Sequence, residues 1–248
     1  MLTVRDATLR LLRSLGITTI FGNPGSTELP LFRDFPPDFR YVLGLQESVV
    51  IGMADGFAQA TRNAAMVNLH SSAGTGHALG NVFAAFKNQT PLVITAGQQA
   101  RSILPFEPFL FADRPTEFPR PFIKWASEPA LAKDVPRAIA RAYYEAMTPP
   151  CGPTFVSIPI DDWDAEGEEV VTRKIATTNP GDPEAVATLA RALVQSEKPA
   201  LVLERESHGI GPGMRSCNSR SASGWRCMWR RSPVATYSQK PTRCFAAF

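Results

Sequence analysis

Short apolar runs rich in β-branched residues recur along the chain, each separated from the next by a helix-patterned stretch. The runs are "ITTIF" (17–21), "RYVLGL" (40–45), "AAMVNL" (64–69), "PLVITA" (91–96) and "PTFVSIPI" (153–160), and the helical patterns cover 3–15, 47–62, 75–87 and 134–147. Strands buried on both faces and joined by crossover helices are the signature of a parallel α/β sheet. Right-handed crossovers put the loops that follow the strands on one edge, where ligands of such sheets bind. The expected fold is therefore α/β, a parallel sheet flanked by helices.

Three of those loops carry polar residues of catalytic type. "FGNPGSTELP" (21–30) opens the first strand into a Gly- and Pro-rich turn that bears Ser26, Glu47 follows the second strand, and His70 ends the third. Each has an ordinary structural reading as well. Ser26 can cap a following helix, Glu47 can sit in a first helical turn favoured by the dipole, and His70 can be a satisfied structural histidine. Their joint appearance in successive loops points to a ligand site. "SAGTGHALG" (72–80) invites a dinucleotide reading, but Gly80 misses the G-x-G-x-x-G spacing and no acid closes the next strand. Its glycines fit close packing of a helix end or close approach of a ligand.

Composition narrows the function classes. The 248 residues are 44% apolar and 20% charged, enough for a full domain and part of another. The net charge of +3 is uneven: residues 204–248 hold eight Lys or Arg and two acids, so the rest carries 18 basic against 21 acidic residues. The basic excess thus lies in one tail, against a nucleic-acid partner. Cys151 stands alone outside that tail, so no disulfide or metal spacing is expected. "MLTVRDATLRLLRSLG" reads as an amphipathic helix and no apolar window suits a membrane span, so a cytoplasmic protein without membrane partners is expected.

The segment 101–130 is rich in Pro and Phe and lacks periodicity, which marks a functional or interfacial stretch or a wrapped loop. The expected domain runs over 1–164, a linker over 165–182, and the start of a second, truncated α/β domain over 183–203. Residues 204–248 contain no Leu, and only Ile210 and Val234 represent the branched aliphatics, while Ser, Arg, Cys and Trp dominate. This composition suits neither a core nor a typical disordered segment. GC-rich codons permitted for 216–248, read two nucleotides later, give a string with ordinary helix and strand patterning. The tail is therefore expected to be a frameshift product, aberrant and disordered.

Taken in order, "FGNPGSTELP", "LQESVVIGMADGFAQA", "NLHSSAGTGHALGNVFAAF", "TPLVITAGQQAR", "PRPFIKW" and "GPTFVSIPIDDWD" resemble the N-terminal, pyrimidine-binding domain of thiamine-diphosphate enzymes, over residues 3–203. The branch they resemble is that of the benzoylformate decarboxylases. Acetolactate synthases typically lack a serine like Ser26 and the His70-Ser71 pair, and pyruvate decarboxylases carry adjacent histidines where this chain has Gln98 and Gln99.

The resemblance implies a thiamine-diphosphate-dependent decarboxylation of an aromatic 2-oxo acid, benzoylformate to benzaldehyde and CO2, by a homo-oligomer whose site lies at a subunit interface. It implies that Asn23, Pro24, Gly25, Glu47 and Gly74 line the cofactor, with Glu47 donating to the pyrimidine ring. Ser26 would hold the substrate carboxylate, His70 would transfer protons, and Phe109 and Leu110 would contact the aryl group. Backbone carbonyls of Glu117, Phe118 and Arg120 would hold a structural cation. The diphosphate and its Mg2+ belong, in that family, to a C-terminal domain with a Gly-Asp-Gly segment that this sequence does not contain. The 248-residue chain alone is accordingly expected to be inactive. Two alternatives stay open: another 2-oxo acid decarboxylase or carboligase, and a non-catalytic dimerising fragment.

Overall fold

The computed structural model describes residues 1–174, 181–197, 200–203 and 226–229. They divide into two compact units, Met1–Ile175 and Ala176–Phe248.

The first unit is built on six parallel strands: β1 (Thr19–Asn23), β2 (Arg40–Leu43), β3 (Ala65–Leu69), β4 (Leu92–Gln98), β5 (Trp125–Ser127) and β6 (Pro153–Pro159), in the order β2-β1-β3-β4-β6-β5. The central runs are apolar and β-branched because helices cover both faces; every residue of β3 and β6 is buried. One face packs Ile20, Met66, Val93, Val156 and Ile158 against α1 (Val4–Ser14) and α5 (Val135–Met147). The other packs Phe21, Val67, Leu69, Ile94 and Phe155 against α3 (Glu47–Thr61) and α4 (Ser71–Lys87). The short α2 (Leu29–Phe32) follows the turn after β1. Thr3 starts α1 by accepting the Asp6 N–H at 3.1 Å, as an N-cap should.

Strand order fixes where a ligand can enter. From β1 the chain passes to β2 on one side and then to β3 on the other, so the sheet reverses its winding between β1 and β3. Crossover loops diverge there and leave a crevice at the carboxyl ends of the strands. Asn23 of β1 lies in register with Leu69 of β3, immediately before His70.

The sequence reading departs from the structure at the start of α4 and in the segment 101–130. Helix α4 begins at Ser71 rather than 75, so Gly74 and Gly76 lie inside it. Their lack of a side chain serves packing: a Cβ on Gly74 would sit 3.2 Å from Glu47 Cγ and Oε1. The irregular segment 101–130 also contains a strand, β5, too short at three residues to show a period. Its loop is pinned in its first part. The Gln98 amide donates to Ala112 O at 3.0 Å, and Arg101 forms a two-pronged pair with buried Asp162 at 2.6 and 2.7 Å.

Residues 165–173, where the linker was expected to begin, are strapped to the first unit. Val4 N–H donates to Ala165 O at 2.9 Å, Thr3 bridges Glu166, Gly167 N–H donates to Leu2 O at 2.9 Å, and Arg173 N–H donates to Tyr144 Oη at 2.6 Å. In the second unit, α6 (Pro183–Gln195) is capped by Asp182, and β7 (Ala200–Leu203) pairs in parallel with β8 (Arg226–Trp229). β8 falls within the stretch read as an aberrant tail; the rest of 204–248 lies outside the described residues.

Close strand contact at Gly22 yields a stability test. A Cβ there would overlap the Tyr41 hydroxyl and stand 2.6 Å from Asn68 O. Gly22→Ala is expected to destabilise the chain by about 1–3 kcal/mol through overpacking, read as a lower urea midpoint. Tyr41→Phe in the same chain should recover part of the loss, because the Tyr41 Oη is buried without a hydrogen-bond partner.

Candidate active site

Two carboxylates dominate the crevice between β1 and β3, and they are held differently. Glu47 occupies the first turn of α3, where unpaired backbone N–H groups favour an acid. Its side chain is buried, with Oε1 accepting the Asn23 amide at 3.1 Å and Oε2 facing His77 Nδ1 at 3.2 Å. Burial alone would raise this carboxyl. The Glu47 backbone N–H, Asn23 and His77 outweigh burial and hold it below its ordinary value.

The second carboxylate, Glu28, is buried to within 1% and sits where the turn after β1 folds over the sheet. Its Oε2 accepts the Gly25 N–H at 2.8 Å and meets His70 Nδ1 at 2.9 Å. Its Oε1 accepts the Gly97 N–H at 2.9 Å and the Thr27 hydroxyl at 2.6 Å, with the Ser71 N–H further off at 3.4 Å. A carboxylate only accepts, so His70 Nδ1 carries a proton, and in the neutral ring Nε2 is the acceptor. Thr27 Oγ1, already donating to Glu28, lies 3.4 Å from the same ring nitrogen and fits that tautomer.

Local backbone makes this geometry reachable. A Cβ on Gly25 would fall inside the His70 ring, and one on Gly97 would overlap Glu28 and Thr27, so both positions admit only glycine at these separations. Ser71 adopts φ +49°, a left-handed conformation that is strained for a serine, as it turns from β3 into α4. Its N–H thereby points at Glu28, while its buried hydroxyl has no partner.

The structure gathers Asn23, Gly25, Glu47, His70 and Gly74 into these two contact groups at the strand ends. Pro24 and Ser26 lie in the turn between them, with Ser26 exposed. Phe109 and Leu110 belong to the long segment after β4; Phe109 is 90% exposed and Leu110 has φ +71°. Glu117, Phe118 and Arg120 lie in a run of turns further along, where Arg120 N–H donates to Glu117 O at 3.0 Å and the Phe118 ring covers Gly76. Thr116, Glu117, Arg120 and Pro121 line an open concavity there. Among the described residues, no group of three or more His, Cys, Asp or Glu side chains is arranged to hold a metal, and no helix is long and apolar enough to cross a membrane.

Sequence reasoning missed Glu28 and His77. By pattern alone Glu28 marks the start of a helix, although an acid three residues after a glycine can close a turn onto the glycine N–H. Its other partner, Gly97, lies on β4, so only the fold brings them together. His77 gives a weak signal: it follows Gly74 by one helical turn, on the side of α4 that meets α3.

Residues 2–113 match the N-terminal TPP-binding domain of thiamine pyrophosphate enzymes. Benzoylformate decarboxylase of Pseudomonas aeruginosa is 46% identical over 213 residues, covering 84% of this chain and 40% of the relative. The structure of a thiamine diphosphate-dependent 4-hydroxybenzoylformate decarboxylase from Rhodococcus jostii RHA1 superposes with a TM-score of 0.78 at 42% identity, covering 82% of this chain and 39% of that one. Acetolactate synthase isozyme 3 large subunit of Escherichia coli is 26% identical over 210 residues, covering 81% of this chain and 36% of the relative. The chain thus spans about two fifths of the length of the relatives it matches. With a parallel sheet of that type and a buried glutamate opening α3, residues 2–113 carry the N-terminal TPP-binding domain of thiamine pyrophosphate enzymes, and the chain is similar to the N-terminal part of benzoylformate decarboxylases.

Proposed function

We propose that this chain supplies the pyrimidine-side half of a thiamine-diphosphate-dependent decarboxylase acting on an aromatic 2-oxo acid, benzoylformate being the substrate of first choice. The observation that carries the reading is the buried Glu47 carboxyl, oriented by Asn23 and backed by a helix that only Gly74 lets so close. The donor set fits an aminopyrimidine: one carboxyl oxygen fixed by Asn23 beside Gly74, the other toward the solvent edge of α4. When bound, thiamine diphosphate supplies the nucleophile and the electron sink for loss of CO2.

The chain's own residues then divide the remaining work. Glu47 presents its carboxyl to the ring nitrogen and shares a proton there once the ring replaces a contact that favours the charged form. Asn23 keeps that carboxyl in one rotamer, Gly74 lets α4 close on it, Gly25 makes room for His70, and with Pro24 they form the cofactor wall. Ser26 hydrogen-bonds the substrate carboxylate. His70 accepts or returns a proton at Nε2, with its orientation set by Glu28 at Nδ1. Phe109 and Leu110 offer apolar surface to an aryl group.

Exposed apolar side chains support a subunit interface. Leu45 is 90% exposed, Val49 on α3 49%, Phe83 on α4 42% and Phe109 90%. Such an array is covered in a homo-oligomer more readily than left in water. Mg2+ and the diphosphate are assigned to parts that the relatives have beyond the matched residues, and a structural cation to the carbonyls of Glu117, Phe118 and Arg120.

A carboligase of the acetolactate synthase type is the second reading, supported by the E. coli relative; Ser26 and the His70-Ser71 pair favour the decarboxylase. A chimera joining residues 1–174 to the remainder of the P. aeruginosa relative separates them. Release of benzaldehyde from benzoylformate is expected, and Glu47→Gln should lower kcat by roughly 100-fold or more. Acetolactate from pyruvate with no benzaldehyde would overturn the assignment.

The role given to Glu28 has its own test. In Glu28→Gln the amide NH2 must face the N–H of either Gly25 or Gly97, so a loss of about 1–3 kcal/mol is expected in urea unfolding. In the same variant the His70 ring should lose its preference for a proton on Nδ1, read from its imidazole nitrogen resonances.

A further inference from the structure

The two oxygens of Glu47 have partners of opposite character. Oε1 takes Asn23, anchored at the end of a central strand, whereas Oε2 takes His77, whose side chain is 69% exposed. The inner donor is therefore fixed by the sheet, and the outer one stands at the solvent edge of α4. Among the described residues, β1 faces this carboxyl with the neutral Asn23 amide, α4 with the His77 imidazole and the bare Gly74 backbone, and α3 contributes the glutamate itself. Within that described set, His77 is the one ionisable side chain paired with it.

An aminopyrimidine that accepts a hydrogen bond from Glu47 needs one carboxyl oxygen, and only the outer one can be released without breaking the anchor on β1. A buried carboxylate oxygen left with no donor would be penalised, so a partner that holds it until the ring arrives keeps the rotamer in place. Resting on the thiamine reading above, we propose that His77 is a displaceable cap on Glu47, a positioning residue that holds Oε2 in the cofactor-free chain and yields it to the aminopyrimidine ring. A protonated imidazole grips a carboxylate more firmly than a neutral one.

The sign of the accompanying titration is fixed by the same contacts. His77 is among the groups that hold the Glu47 carboxyl below its ordinary value. Removing it must let that carboxyl titrate at higher pH, and a neutral donor in its place must restore part of the difference.

The experiment uses the 248-residue chain, with NMR of the Glu47 side-chain carboxyl and the His77 ring, and thiamine as the probe. In His77→Ala the Glu47 midpoint is expected to move up, and in His77→Gln to move up less. Thiamine should shift the Glu47 and His77 signals of the parent chain together, and should bind His77→Ala roughly 2- to 10-fold more tightly, the range that corresponds to one hydrogen bond. An unchanged Glu47 midpoint in His77→Ala overturns the cap. So does a thiamine-induced shift at Glu47 that leaves His77 unmoved. If the midpoint responds to His77 but thiamine moves neither signal in any chain, the pairing stands and the release step falls together with the thiamine reading.

Discussion

A single buried carboxylate, Glu28, ties together the carboxyl ends of three strands. Through one oxygen it closes the turn after β1 and holds the histidine that ends β3, and through the other it reaches the backbone of β4. Each contact uses an N–H or O–H that would otherwise be stranded away from water, and unsatisfied buried polar groups are what a sheet edge can least tolerate. The glycines at 25 and 97 and the left-handed Ser71 make sense as the backbone's accommodation to this one group. The crevice keeps its shape because the acid that shapes it has no freedom to turn.

Glu47 is the contrasting case. It is also buried, yet one of its partners stands in solvent, so the carboxyl is oriented without being locked. A group that must take up and release a ligand cannot be satisfied as completely as one that only supports the walls. The difference between the two glutamates lies in where their donors come from. Backbone N–H groups fixed by sheet and turn, with Thr27 and His70, serve Glu28, whereas the side-chain partners of Glu47 are two, one of them exposed.

Much of the sheet was legible in the chain because its central strands are covered on both faces and read as unbroken apolar runs. Glu47 and His70 were legible as polar residues standing where such runs stop. What escaped was of two kinds. β5 is short and lies at the sheet edge, so it carries no pattern that a window can detect. Glu28 and His77 acquire their meaning from partners on other elements, and a glutamate next to a helix start looks the same in sequence whether it ends in water or beneath a histidine. The start of α4 was misjudged for a related reason: glycines that resemble loop-formers are there to let two helices touch.

The strap formed by residues 165–173 settles where the first unit's chain ends lie. By pairing Thr3 with Glu166 and Leu2 with Gly167, it brings the polypeptide's point of entry and its point of exit side by side. A module with adjoining ends can be spliced into a surface turn of another protein, or recombined with different successors, without its interior being redrawn. The unit is in that sense a cassette, and its crevice could have been lent to new partners by joining genes rather than by remodelling a core.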